Sequence, residues 1–100
     1  MEKQELLNCA ADYIDKHGKT EGQYFRGRRG EDCAACAVGA MLKCLPDVAD
    51  LLPLPEYHLA DGEQKIRDVM PGVSLGAIFM YSDTHSKDQV VAWLRNGMKE

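Results

Sequence analysis

No stretch of this 100-residue sequence is apolar for long enough to cross a bilayer. The longest apolar run lies around Cys33 to Leu42, against the roughly 20 residues that a spanning helix needs. A basic-then-apolar leader is missing too, because Glu2, Lys3, Gln4 and Glu5 mix charge and polarity. The sequence therefore reads as cytoplasmic, with no membrane partner. Without an export signal, the four cysteines (Cys9, Cys33, Cys36 and Cys44) are expected as reduced thiols rather than a disulfide framework. Internal repeats and low-complexity tracts are absent. Basic residues are missing from one whole segment: Asp47 to Glu63 carries Asp47, Asp50, Glu56, Asp61 and Glu63 with no Lys or Arg.

What is present belongs to an ordinary globular chain. The hydrophobic fraction is 45% and the charged fraction 28%, which excludes wholesale disorder. The length allows one domain, residues 1–100, with a single core. The net charge of −4 is unevenly spread. Lys19, Arg26, Arg28 and Arg29 face only Glu21 between positions 19 and 29. Together with the acidic segment this suggests two electrostatically distinct surfaces, although solvated loops are the plainer reading.

The first helix is expected from Glu2 to His17. Leu6, Leu7, Ala10, Tyr13 and Ile14 recur at helical spacing, and Cys9 falls beside Leu6 and Tyr13 as a packing residue. Gly18 is the natural cap that ends it. The connector that follows carries Gly22, Gly27 and Gly30, and Gly27-Arg28-Arg29-Gly30 suits the turn of a short hairpin led by Tyr24 and Phe25. Asp32 then reads as the N-cap of a helix from Cys33 to Leu45, stopped by Pro46. Only Lys43 is charged in that helix, which marks it as a central element surrounded by others. Gly39 within it costs about 1 kcal/mol of helix propensity relative to Ala, so a packing reason is expected.

Further along, a short helix near Asp47 to Leu52 and a leucine-pinned loop are expected, then a helix capped by Asp61 and ended by Pro71-Gly72. Ser74 to Tyr81 fits a helix or a buried strand, with Ser74 as a cap favouring the helix. The last helix is signalled by the Ser86/Gln89 capping box, with Val90, Trp93, Leu94, Gly97 and Met98 turned inward.

Two short segments, Cys36-Ala37-Val38-Gly39-Ala40 and Tyr81-Ser82-Asp83, carry a resemblance. With the opening amphipathic helix and the turn Gly18-Lys19-Thr20-Glu21-Gly22-Gln23-Tyr24-Phe25, the chain resembles a family of small bacterial and phage proteins, a domain of unknown function. Members of that family show a C-A-x-G-A helix and commonly a tryptophan, asparagine and aspartate where this chain has Tyr81-Ser82-Asp83, of which Asp83 is shared. The resemblance implies a fold and no activity.

Four constellations offer chemistry. Cys33-Ala34-Ala35-Cys36 is a C-x-x-C at a helix start, where the dipole favours a thiolate, but the strand–helix context of a disulfide oxidoreductase is missing. The same pair would supply two zinc ligands, completed by His17, His58 or His85, yet the spacing matches no finger; Cys44 lies about 12 Å along the helix from Cys36. A Cys-dependent hydrolase or transferase would use Cys36 with His85 and Asp83. Packing and capping are the plainer roles for all three. Finally, Tyr24, Phe25, Arg26, Arg28 and Arg29 form a basic aromatic turn suited to phosphates or to an acidic protein surface. With a pI near 5.3, a protein partner is favoured over nucleic acid.

The sequence thus predicts a mainly α, single-domain bundle around a central apolar helix, with a minor β-ribbon as an option. It favours a non-enzymatic accessory or regulatory protein working through protein contacts, with a phage origin as an option and with no cofactor and no favoured metal. The thiol-dependent enzyme is the alternative.

Overall fold

The computed structural model describes residues 2–19, 25–26, 34–45 and 56–99, with backbone alone at 25–26, 34–35 and 56–61. Among them run five helices and one two-stranded ribbon: α1 (Lys3–His17), β1 (Phe25–Arg26), β2 (Ala34–Ala35), α2 (Ala37–Cys44), α3 (Glu56–Val69), α4 (Leu75–Thr84) and α5 (Lys87–Arg95). The fold is a small, mainly α globule, as the helical periodicities predict.

Helix α1 forms where its apolar spacing places it. A Glu2/Glu5 capping box opens it, and Leu6, Leu7, Ala10, Ala11 and Ile14 are buried. Gly18 ends it at φ +91°, its N–H donating to the Ile14 carbonyl at 2.8 Å, a backbone conformation that favours glycine. At the other end of the chain, the Ser86/Gln89 box opens α5. This helix closes with Met98 N–H donating to the Trp93 carbonyl and Gly97 N–H to that of Leu94, a Schellman-type cap with Gly97 at φ +71°. Gln4 of α1 reaches across and donates to the Arg95 carbonyl at 3.1 Å. The two terminal helices are thereby fastened by polar groups as well as by their apolar faces. Arg95 also pairs with Asp12 at 2.7 Å, an exposed bridge worth little by itself.

The central helix is shorter than the sequence suggests. It does not start at Cys33 behind an Asp32 cap: Ala34–Ala35 pair antiparallel with Phe25–Arg26, with Phe25 opposite Ala35 and Arg26 opposite Ala34. Cys36, in extended backbone, is the N-cap of α2. The alanine–cysteine run fits either element, and the pairing with a distant strand decides for extension at its first half. From Ala37 to Leu42 every residue of α2 is buried. Helix α1 packs along it, α4 and α3 close further sides, and α1 also carries α5.

The cysteines differ from expectation. Cys9 and Cys44 are joined in a disulfide, so the expectation of reduced thiols throughout is corrected. That expectation rested on the mixed charge and polarity of Glu2 to Glu5. The packing of α1 against α2 brings Cys9, beside the buried stripe of α1, to a Cα–Cα separation of 6.0 Å from Cys44 at the end of α2, within bridging range.

Helix α3 also departs from the reading. It starts at Glu56 and runs through Asp61 without a break, so Asp61 is an interior residue and not a cap. Ile66 and Met70 are buried. Ser74 caps α4 by accepting from Ala77 N–H at 3.2 Å, which settles that segment as helix. The expected helix near Asp47 to Leu52 lies outside the described residues.

Candidate functional site

Cys36 and Asp83, two of the residues singled out for chemistry, come together where α2 begins and α4 ends. A helix start leaves N–H groups without intrahelical acceptors, and here they are met from two directions. Cys36 Sγ accepts from Gly39 N–H at 3.4 Å. Ser82 of α4, fully buried, accepts from Ala37 N–H at 3.0 Å through its hydroxyl oxygen. The Ser82 carbonyl in turn accepts from Lys19 Nζ at 2.7 Å. One residue of α4 thus ties together the end of α1 and the start of α2.

The electrostatics of Cys36 follow from this position. Burial pushes its thiol up from 9.0 to about 11, and the negative charge of Asp83 adds to the rise. The N–H groups of Gly39 and Val38 pull the other way, and they lose. At neutral pH the group is a thiol with no exposed surface, whereas a nucleophilic cysteine needs an accessible thiolate. Asp83 acts on Cys36 directly and disfavours the thiolate there.

His85 is held elsewhere. Its Nδ1 lies 2.8 Å from the Tyr81 carbonyl, which can only accept, so Nδ1–H is the donor there. The imidazole stacks on Tyr81 with centroids 3.7 Å apart and planes within 7°. The opposite partner of Tyr81 is Trp93 of α5, at 3.9 Å and 14°. Among the described residues no hydrogen bond joins Cys36 to His85. Helix α4 therefore turns Ser82 to the core and Tyr81 and His85 to α5.

The ring stack was not visible in the sequence. Tyr81 and His85 are four apart and so share a helix face, which is a usable signal; the partnership with Trp93 depends on how α4 meets α5. A shallow hollow of about 310 Å³ opens beside it, lined by Tyr81, Gln89, Ala92, Trp93, Asn96 and Lys99.

The Cys36-Ala37-Val38-Gly39-Ala40 run and the Tyr81-Ser82-Asp83 run thus meet in one hydrogen-bonded junction. The chain belongs to DUF6197, a family of unknown function. The DUF6197 match extends over residues 1–100. No curated protein matches the chain, and no solved structure does.

The other candidates have different fates. Phe25 and Arg26 lie on β1, while Tyr24, Arg28 and Arg29 lie outside the described residues, as do Cys33 and the greater part of the acidic segment. No group of three His, Cys, Asp or Glu side chains among the described residues is placed to hold a metal ion. No helix among them is long and apolar enough to cross a membrane.

Proposed function

We propose that this DUF6197 chain is a small accessory or regulatory protein that works by non-covalent contact with another protein. The observation that carries the reading is the outer face of α4. This helix, Leu-Gly-Ala-Ile-Phe-Met-Tyr over its first two turns, is apolar on every side, yet only Leu75, Ile78 and Ser82 are buried. Gly76, Ala77 and Met80 are exposed, and Met80 is the one large hydrophobic side chain among the described residues that is widely open to water, at 67%. An all-round apolar helix is normally covered, and exposed apolar area of this kind marks contact sites. Beside it runs a second shallow groove of about 360 Å³ between α3 and α4, lined by Glu63, Arg67, Leu75, Gly76 and Phe79.

The reading places the protein in the cytoplasm of bacteria or among the products of their phages, in keeping with its C-A-x-G-A and Tyr-Ser-Asp segments. The basic aromatic segment holding Tyr24, Phe25, Arg26, Arg28 and Arg29 is a second candidate for that contact. A thiol enzyme fits less well, because Cys36 is buried and protonated.

Affinity capture from a bacterial host lysate tests this with four baits: the wild-type chain, Met80→Asp, Arg28→Glu and Cys36→Ala. The proposal expects a stoichiometric partner that Cys36→Ala retains and that Met80→Asp or Arg28→Glu loses. A partner lost only with Cys36→Ala, with that variant folded by circular dichroism, would move the function to the thiol.

A further inference from the structure

The two ends of α2 are fastened by different chemistry. At the start, Ser82 Oγ and Cys36 Sγ take the free N–H groups, all inside the core. At the finish, Leu45 N–H donates to the Leu42 carbonyl at 3.2 Å, and the Cys9–Cys44 disulfide fixes the helix to α1. Both bridged residues are only half-buried, which leaves part of each open to solvent.

The interface beneath the bridge is complete without it. Leu6, Leu7, Ala10 and Ile14 of α1 and Val38, Met41 and Leu42 of α2 have no exposed surface. The apolar contacts hold the two helices side by side whether or not the sulfurs are joined. Cys36, the free cysteine among the described residues, is buried and sits eight positions from Cys44, about 12 Å along a helix. Cys36 is therefore too far from the bridge to exchange with it.

We infer that Cys9–Cys44 is a thiol–disulfide exchange site, at which an external dithiol releases the C-terminal end of α2 from α1 and an external disulfide restores the tether. In reduction, a thiolate of the dithiol attacks one bridge sulfur. The Cys9–Cys44 bond breaks and a mixed disulfide forms, which the second thiol of the reductant resolves. Two electrons and two protons pass to the pair, leaving Cys9 and Cys44 as thiols and the reductant as a disulfide. Re-oxidation by glutathione disulfide runs the balance backwards, giving two molecules of glutathione. Because the start of α2 has its own hydrogen bonds, release is confined to its far end.

The full chain carrying Cys33→Ser provides the test. It is equilibrated without denaturant in glutathione buffers of graded potential and with dithiothreitol, then quenched with N-ethylmaleimide and weighed. The expected result is a reversible two-label step mapping to Cys9 and Cys44, with Cys36 unlabelled. The reduced form should remain helical by circular dichroism and melt roughly 10–20 °C lower, from the loss of a 35-residue closure. Amide exchange should quicken at residues 42–45 and hold at 37–40, and Cys9→Ser should reproduce the reduced form. A bridge that yields only in denaturant, a reduced chain that unfolds as a whole, exchange that quickens equally at both ends of α2, or failure to form the bridge in oxidising buffer would each overturn the inference.

Discussion

Helices α2 and α4 have nearly the same character in sequence and opposite surroundings in the fold. Both are apolar over their first six residues, and each begins with a side-chain cap, Cys36 for one and Ser74 for the other. Every residue of α2 from Ala37 to Leu42 is buried, because α1, α3 and α4 take up its sides. Helix α4 sends one edge to the core and leaves Gly76, Ala77 and Met80 in water. Apolar composition therefore states what a helix can cover; the number of neighbours decides what it does cover. The uncovered face is where composition and surroundings disagree, and that disagreement is the basis of the proposed contact function.

The sharpest way to break this comparison is a pair of matched truncations. Leu42→Ala in α2 should cost about 2–5 kcal/mol of stability, while Met80→Ala in α4 should change it by less than about 0.5 kcal/mol. Urea unfolding of both variants checks this, and similar losses would mean that α4 is as enclosed as α2.

The buried thiol gives the next largest effect. A thiol raised from 9.0 to about 11 in the fold stays protonated where the unfolded chain has already ionised. Its contribution is thus full below pH 9 and is lost as the pH rises towards 11, by about 2.7 kcal/mol for two pKa units. Unfolding midpoints at pH 8 and pH 10.5 should fall further apart in the wild-type chain than in Cys36→Ala. Parallel behaviour would show that the thiol meets water.

Ser82→Ala should cost about 1–3 kcal/mol, because it strands the buried Ala37 N–H. It should also speed amide exchange at the start of α2 more than at its end, which locates the effect. The smallest change runs in the stabilising direction. Gly76 lies in the first turn of α4 with nothing within 4 Å of an added Cβ, so Gly76→Ala should raise stability by about 0.5 kcal/mol. If the α4 face is the contact surface, the same methyl group should weaken capture of the partner while the fold improves, which separates the role of the face from that of the core.

What the sequence could show depended on how local each signal was. The Glu2–His17 stripe, Gly18, Ser74 and the Ser86/Gln89 box are read within one or two helical turns, and all four are found. The start of α2 was not legible, because Ala34 and Ala35 suit a helix as well as a strand until Phe25 and Arg26 lie alongside. Asp61 looked like a cap because Asp is common there, yet α3 passes through it once Glu56 has begun the helix. The disulfide depends on the packing of residues 35 positions apart. Of the chemical candidates, the sequence named Cys36, Asp83 and His85 but passed over Ser82, whose hydroxyl joins the two motif segments. No spacing rule announces a serine on one helix capping another.

The Tyr81–Trp93 stack has an optical consequence. Trp93 is the chain's single tryptophan, and its indole N–H is buried with no hydrogen-bond acceptor among the described residues. Its emission is thus the signal of one place alone, the seam between α4 and α5, against a neighbouring phenol. Any event that shifts α4, whether a partner seated on Met80 or a disturbance passed on through Ser82, will alter the colour and polarisation of that light. The molecule can be watched without a dye.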